Sequence, residues 1–183
     1  MKIGIIVGSV RETRKGGNVG TWVEKLAVDR TGADYELIDL RTFDVPLLTT
    51  GTHPMAANRS YESDAVQRWS EAIDGCDAFV FVTPEYNHGV PGAFKNAVDS
   101  LGPEWMGKAV AFVSYGSANG VRAVEQWRQI LANFSIVDVR AQVILSMFTD
   151  LEEDGTVKTS ERLEDDATAM FDELEQTATH LAN

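Results

Sequence analysis

Cysteine is nearly absent from this sequence: Cys76 is the only one among 183 residues. A lone cysteine excludes an intramolecular disulfide and fits a reducing cytoplasm. Because Cys76 directly precedes an apolar run, we expect it to be a small buried residue rather than a nucleophile. His88 has no second ligand at a metal-binding spacing, so no metal site is predicted.

Long apolar runs are missing as well. No run approaches the ~20 residues that a membrane-spanning helix needs. Met1-Lys2 leads straight into a strand pattern, which leaves no room for a signal peptide. We therefore expect a cytoplasmic protein with no membrane partner. A chain of 183 residues has the length of one ordinary domain.

Positive charge is scarce. The 16 Lys and Arg are outnumbered by 28 Asp and Glu, which gives a net charge of −12. This balance argues against a nucleic-acid partner, because neutralising phosphates needs clustered Lys and Arg. Arg11, Arg14 and Lys15 stand out against the acidic background, since they lie within five positions of one another. They indicate a local site for an anion.

Apolar runs alternate with helical patterns along the whole chain. This order is typical of βαβ units and a parallel sheet. The runs predict strands over residues 2–7, about 35–40, 78–82, 109–114 and about 139–145. A helical repeat follows each strand, and right-handed crossovers then give a doubly wound α/β fold. We predict a single five-stranded domain spanning residues 1–183.

Residues 41–61 break this alternation. A connection of such length without strand or helix rhythm is usually functional or interfacial. Its first part carries Phe43, Val45, Pro46, Leu47 and Leu48. Apolar side chains on a long loop need cover, and a symmetric partner supplies it most simply. We therefore expect a homodimer, with a tetramer as the alternative.

The loop after the first strand, residues 8–18, has the residue types of an anion site. Gly8 permits a sharp turn, Ser9 offers a hydroxyl, and Arg11 offers charge-assisted donors, with Arg14 as a second candidate. The first amides of the following helix point at the same spot. The glycine patterns of nucleotide-binding P-loops and dinucleotide folds are both missing. The loop can hold a phosphate monoester; the alternative is an ordinary turn with solvated arginines.

Residues 83–92, Thr-Pro-Glu-Tyr-Asn-His-Gly-Val-Pro-Gly, follow the third strand and form a second βα junction. Glu85, Tyr86 and Asn87 would present backbone donors and acceptors at the carboxyl edge of the sheet. The polar edge of a flavin ring needs such an alternation, and Tyr86 is a candidate to pack on a ring face. Alternatively, Tyr86 and His88 only cover the helix that follows.

A third loop, residues 114–120, closes the other side of the same crevice. Its glycines permit close approach of the backbone, and the amides at the next helix start can stabilise negative charge. In a doubly wound sheet the loops after strands one, three and four converge, with the crevice between strands one and three.

These motifs resemble the NADPH-dependent FMN reductase family of flavodoxin-like proteins, which includes quinone, chromate and azo-dye reductases. Gly8-Ser9-x-Arg11 looks like the family's phosphate loop, and the run from Pro84 to Asn96 is similar to its flavin-loop signature. The resemblance covers nearly the whole chain. It implies a flavodoxin-like doubly wound sheet in the order 2-1-3-4-5.

The resemblance also implies a cofactor and its site. FMN rather than FAD would be the flavin, and NADPH or NADH the reductant. The phosphate would be held by Ser9, Arg11 and the amides around Asn18 and Val19, and the ring would face two further loops. Those loops contribute Pro84, Glu85, Tyr86 and Asn87 on one side, and Ser114, Tyr115, Gly116 and Ser117 near the pyrimidine end.

The implied reaction passes two electrons from the nicotinamide to FMN and on to a quinone-like or other small acceptor, with ping-pong kinetics. The flavin N5 carries the chemistry, so we assign no catalytic side chain; His88 and Tyr115 are the nearest titratable groups. Two alternatives remain open, namely a flavodoxin-like FMN electron carrier and a flavin-binding sensor without turnover.

Overall fold

The computed structural model describes residues 1–182 of the chain. Five strands form one parallel sheet in the order β2-β1-β3-β4-β5, which confirms the predicted topology. The strands are β1 Lys2–Val7, β2 Asp34–Asp39, β3 Ala78–Pro84, β4 Ala109–Gly116 and β5 Val137–Ser146. Strands β3 and β4 are buried along their whole length, as the uninterrupted apolar runs predict.

Helices cover both faces of the sheet. They are α1 Gly16–Ala27, α2 Pro54–Ala57, α3 Asp64–Asp74, α4 Gly92–Asp99, α5 Val121–Leu131 and α6 Glu161–Leu181. Hydroxyl side chains cap two of them: Ser63 accepts from the Val66 amide at the start of α3, and Ser160 accepts from the Leu163 amide at the start of α6. Such caps satisfy amides that a helix start otherwise leaves without a partner.

The two faces of the sheet bury side chains of different size. On β4, Ala109, Ala111 and Val113 share a core with α1 and α6. Val110 and Phe112 point to the opposite face, where they pack with α3, α4 and α5. Since side chains alternate along a strand, Tyr115 falls on the α1 side with the small residues. This alternation therefore places the Tyr115 hydroxyl on the α1 side of the sheet.

Aromatic rings fill the opposite core. Phe81 lies at its centre, within 4.7–6.3 Å between ring centroids of five other rings. Most of these contacts are edge-to-face, the geometry that aromatic quadrupoles favour. Among them, Trp127 and Phe94 belong to helices that begin at the crevice, so the packing fixes those helices beneath the loops.

The connection after β2 is more ordered than the sequence indicates. It contains a single 3₁₀ turn, Leu40–Phe43, and the short helix α2. The expectation of a segment without helix is therefore wrong. Phe43 and Val45 pack on the chain's own core, whereas Leu47 and Leu48 are exposed. Only part of the apolar surface of this connection is left for a partner to cover.

Two further features bear on the class of protein. Cys76 is buried, as predicted, and burial raises the pKa of its thiol to about 11. Within residues 1–182, no helix has both the length and the apolar character to cross a bilayer.

Candidate functional site

Three loops meet where the strand order reverses, between β1 and β3. In open α/β sheets this is the position of the ligand crevice. Backbone hydrogen bonds join the loops: the Gly8 amide donates to Val82 O at 3.0 Å, and the Glu85 amide donates to Tyr115 O at 3.0 Å. Gly8 itself leaves no space for a side chain, because an added Cβ would lie 2.0 Å from the Phe94 ring.

The three basic residues of the first loop have different partners. The Arg14 guanidinium forms a two-pronged ion pair with Asp39 and also donates to Ser9 O at 2.7 Å. The Lys15 ammonium donates to the carbonyls of Glu152 and Glu153. Both groups are therefore already bound to the protein, and Arg14, the second candidate in the sequence, is not a free anion donor.

Arg11 is the exception. Its guanidinium has no hydrogen-bond or ion-pair partner within residues 1–182, and lies 6.0 Å from the centroid of the Tyr86 ring. The side chain is exposed at the mouth of the crevice. Of the three cations in the loop, Arg11 alone keeps its donors available for a ligand.

The helices that begin at the crevice lack side-chain caps. In the part of the chain that the structure describes, no side chain bonds to the first amides of α1, α4 or α5, and none of these helices has an acidic residue in its first turn. Elsewhere, Ser63 and Ser160 cap α3 and α6. Because uncapped amides carry the positive end of the helix dipole, the crevice offers donors that favour negative charge.

Three hydroxyl groups gather beside the start of α1. Ser9 Oγ lies 2.6 Å from Tyr86 Oη. Tyr115 Oη points at Gly16, where an added Cβ would lie only 2.5 Å from it. The Tyr115 hydroxyl is buried, and no hydrogen-bond partner for it lies in the described chain. Burial is the main influence on the Tyr115 pKa and raises it well above its usual range.

The loop after β3 ends in a tight turn. The backbones of Tyr86 and Gly89 exchange hydrogen bonds of 3.0 and 3.1 Å, and Asn87 and His88 between them have φ values of +49° and +73°. Two successive positive φ angles describe a type I′ turn. Asn87 favours this left-handed conformation and His88 tolerates it. Both side chains are exposed at the tip.

Side chains of α5 brace this turn from below. Gln126 Nε2 donates to His88 O at 2.8 Å, and Arg122 Nη1 lies 3.1 Å from His88 Nδ1. Arg122 also forms an ion pair with Glu85, whose side chain is only 4% exposed. One carboxylate oxygen of Glu85 and the Arg122 Nε remain buried without partners within residues 1–182.

Sequence reasoning missed the roles of Arg122 and Gln126. Their spacing of four residues places them on one face of a helix, which was the available signal.

The third loop is closed by its own contacts. Ser114 Oγ donates to Asn119 O at 2.8 Å, so the hydroxyl of this predicted site residue is already used. Gly120 has a φ of +76°, and an added Cβ would lie 2.7 Å from Tyr115 N. Only glycine fits there. Gly116 is buried at the end of β4, whereas Ser117 is exposed at the rim.

The remaining predicted residues sit at the start of α1 and the end of β3. The Asn18 side chain donates to Asp154 O at 3.0 Å, which leaves its backbone amide for a ligand. The Val19 amide donates to Lys15 O at 3.2 Å and is therefore already used by the helix. Pro84 pairs with Tyr115 at the last position of the ladder between β3 and β4.

Taken together, the first loop fits the phosphate of a flavin mononucleotide. The Arg11 guanidinium, which has no partner within residues 1–182, lies near Tyr86, and uncapped amides and a cluster of hydroxyls lie at the start of α1; each is a donor suited to phosphate oxygens. By contrast, within the described residues no three His, Cys, Asp or Glu side chains converge as a metal site needs.

Known proteins share this chain's sequence and fold. The NAD(P)H-dependent FMN reductase of Schizosaccharomyces pombe is 37% identical over 129 residues, covering 70% of this chain and 64% of the relative. A quinone reductase of Pseudomonas putida is 31% identical over 137 residues, covering 70% of this chain and 68% of the relative. The match thus spans slightly less than two thirds of the yeast protein.

Among solved structures, FerB, an NAD(P)H:(acceptor) oxidoreductase from Paracoccus denitrificans, superposes with a TM-score of 0.73. The alignment covers 96% of this chain and 98% of that structure at 24% identity, which speaks for the fold alone. The sequence profile of the NADPH-dependent FMN reductases matches residues 1–150, most of the chain. The chain therefore belongs to the NADPH-dependent FMN reductase family.

Proposed function

We propose that this protein is an FMN-dependent NAD(P)H oxidoreductase that passes two electrons from a nicotinamide to a quinone-like or other small acceptor. The observation that carries the proposal is the donor set of the first loop: within residues 1–182 the Arg11 guanidinium has no hydrogen-bond or ion-pair partner, and the start of the neighbouring helix α1 is uncapped. Family membership and the names of the relatives support the same reading.

Bound FMN would supply the redox chemistry, since a flavin accepts a hydride from a nicotinamide and passes two electrons onward. The residues of this chain would hold and orient it. Arg11 and the amides of Gly16, Gly17 and Asn18 would bind the phosphate. The turn after β3 and the loop after β4 would face the ring from two sides, at a spacing set by the Glu85 amide bonded to Tyr115 O.

No general acid or base is part of this proposal. His88 is engaged by Arg122, and burial keeps the Tyr115 phenol protonated. The residues after β4 are small, namely Gly116, Ser117 and Ala118, so no bulky side chain of this loop covers a ring face. One open face would serve the nicotinamide and the acceptor in turn, and the kinetics should be ping-pong.

The test is steady-state oxidation of NADPH and of NADH with a quinone acceptor, using protein loaded with FMN. Parallel double-reciprocal lines would support the reductase. Tightly bound FMN with negligible oxidation of either nicotinamide would instead favour an electron carrier or a sensor. Comparison of kcat/KM for the two nicotinamides then gives the preferred reductant.

We further propose a homodimer, with a tetramer as the alternative. Leu47 and Phe148 are 78% and 70% exposed, and both follow the carboxyl ends of strands. Exposed apolar residues on the crevice side favour a second copy as cover. Light scattering at micromolar concentration tests this, since a monomer mass would refute it. A cytoplasmic location is proposed on the single buried thiol of Cys76.

A further inference from the structure

The Tyr115 hydroxyl is an unexplained polar group in the core. The residue is 6% exposed, and its Oη is buried without a hydrogen-bond partner within residues 1–182. Buried hydroxyls nearly always have a partner, because losing water without replacing it is costly. A hydroxyl in this position therefore calls for a functional explanation.

Strand parity aims this hydroxyl at the phosphate loop. Tyr115 lies on the same face of β4 as Ala109, Ala111 and Val113, the face that packs against α1. Its Oη reaches Gly16, the first residue of that helix, where only glycine leaves room for the hydroxyl. The ring thus spans from the end of β4 to the uncapped amides at the start of α1.

Ser9 lies at the same point. Its Cβ is 3.4 Å from the position that a Gly16 Cβ would take, against 2.5 Å for Tyr115 Oη. Burial raises the pKa of Tyr115, and the influence of the Ser9 side chain, which favours the ionised phenol, is smaller. The phenol therefore stays protonated at neutral pH and is available as a donor.

The number of hydrogen bonds that a serine hydroxyl can accept and donate determines where the Ser9 proton can point. A serine hydroxyl accepts two hydrogen bonds and donates one. Tyr86 Oη, at 2.6 Å from Ser9 Oγ, is one neighbour, and the Tyr115 hydroxyl, which has no hydrogen-bond partner within residues 1–182, lies beside the same serine. If both phenols donate to Ser9, the serine proton is left to point toward the anion at the start of α1.

We propose that Tyr115 is a positioning residue for the flavin phosphate: when the phosphate is bound, it donates to Ser9 and thereby directs the Ser9 proton at the phosphate. Hydrogen bonds in such a chain polarise one another and strengthen the last donor. The chain would make the site select a phosphorylated flavin over riboflavin, which has the same ring and ribityl chain without the phosphate. This role rests on the proposed binding of FMN.

The first experiment compares two flavins. Dissociation constants of FMN and riboflavin are measured by quenching of flavin fluorescence, for the wild type and for Tyr115→Phe. We expect FMN binding to weaken by about threefold to tenfold, the value of one ordinary hydrogen bond, with riboflavin binding unchanged. An equal loss for both flavins would assign the hydroxyl to the shared part of the ligand or to the fold, and overturn the proposal. Unchanged FMN binding would overturn it as well.

The second experiment asks whether Tyr115 acts through Ser9. In a double-mutant cycle, Tyr115→Phe should have no further effect on FMN binding once Ser9→Ala is present. Full additivity of the two losses would show that the phenol acts independently of Ser9 and would contradict the proposed chain.

Gly16→Ala provides a variant that does not depend on losing the hydroxyl. The new methyl group would displace Tyr115 Oη, so FMN binding should weaken. Combining it with Tyr115→Phe should restore part of the affinity, because the displaced atom is gone. No restoration would contradict the placement of the hydroxyl.

Tyr35→Phe is the matched control. It removes a phenol bonded to Glu175 at 2.6 Å, near the amino end of β2 and away from the crevice, and should leave both affinities unchanged. A wild type that binds neither flavin would refute the proposed function itself, which separates that failure from a failure of the role of Tyr115.

Discussion

Arg14 and Asp39 join the loop after β1 to the end of β2. One guanidinium nitrogen lies 2.7 Å from Asp39 Oδ1, the other contacts Oδ2, and the Arg14 side chain is only 12% exposed. The same guanidinium donates to Ser9 O. The pair therefore fixes the backbone of the loop while leaving Arg11 as the free cation.

Asp39→Asn should destabilise the protein, because the Arg14–Asp39 pair fixes the backbone of the loop after β1. Removing one partner of a largely buried ion pair leaves the other without compensation, and we expect a loss of about 1–3 kcal/mol in the free energy of unfolding. Urea denaturation measures this loss. The control is Glu36→Gln on the same strand, where the ion pair with Lys2 is about half exposed. Its loss should stay below about 1 kcal/mol, and equal losses would contradict the role of Arg14.

Arg11→Ala should weaken FMN binding without affecting the fold. A charge-assisted hydrogen bond contributes about 1.5–3 kcal/mol, which corresponds to about tenfold to hundredfold in affinity. The residue is exposed, so the unfolding midpoint should hardly move. Titration of FMN and riboflavin checks the expectation, with Arg140→Ala near the amino end of β5 as the control. Unchanged FMN affinity would remove Arg11 from the phosphate site.

Replacing Glu85 and replacing Arg122 should lower the free energy of unfolding by different amounts. Glu85 is nearly fully buried, whereas Arg122 is 38% exposed. Arg122→Met would leave a buried carboxylate without its partner, while Glu85→Gln leaves an arginine that water can reach. We therefore expect Arg122→Met to lower the free energy of unfolding more, by about 1–2 kcal/mol relative to Glu85→Gln. The reverse order in urea denaturation would contradict the burial of Glu85.

Much of this architecture is readable from the sequence. The unbroken apolar runs predict β3 and β4, and the resemblance to the FMN reductase family implies the order of strands that the sheet has. The strand period also predicts the side of Tyr115, since it shares parity with Val113. Parity alone does not show how close the Tyr115 hydroxyl comes to α1, because that distance depends on how closely α1 packs on the sheet.

Other contacts were not readable, because they join residues far apart in sequence. Nothing near Arg14 indicates that its partner is Asp39, because that contact depends on where β2 ends beside β1. Similarly, Lys15 meets the carbonyls after β5 only in the folded chain. From composition alone, Arg11, Arg14 and Lys15 were equal candidates for binding an anion. Only the tertiary packing shows that Arg14 and Lys15 are bound to the protein and that Arg11 is available.

Cys76 should be inert in the native protein. Burial raises the pKa of the thiol to about 11, so the thiolate that attacks alkylating reagents is scarce at neutral pH and is shielded by the core. We expect iodoacetamide to label Cys76 only as fast as the protein unfolds, which mass spectrometry after timed labelling checks. Rapid labelling without denaturant would contradict the buried position.

Glu175 should make the stability depend on acid pH. Its carboxylate accepts from Arg30 and from Tyr35, and the hydrogen bond from Arg30 is the main reason why the pKa of Glu175 is lowered. Between the native and unfolded pKa values the unfolded chain binds more protons, so stability rises with pH there. The contribution is fully present above the unfolded pKa of about 4.3 and is lost as pH falls through the native value.

Glu175→Gln isolates this contribution. At pH 7 the variant should be less stable than the wild type by about 1–2 kcal/mol, the value of a hydrogen bond to a charged group with part of it retained by the amide. The difference should shrink as the pH falls from about 5 toward 2, because the wild-type carboxylate is then protonated too. Asp165→Asn on the exposed side of the same helix is the control, and should give a small difference throughout. Urea denaturation across this range measures both variants, and a Glu175→Gln difference that stays constant with pH would show that its cause is packing and not charge.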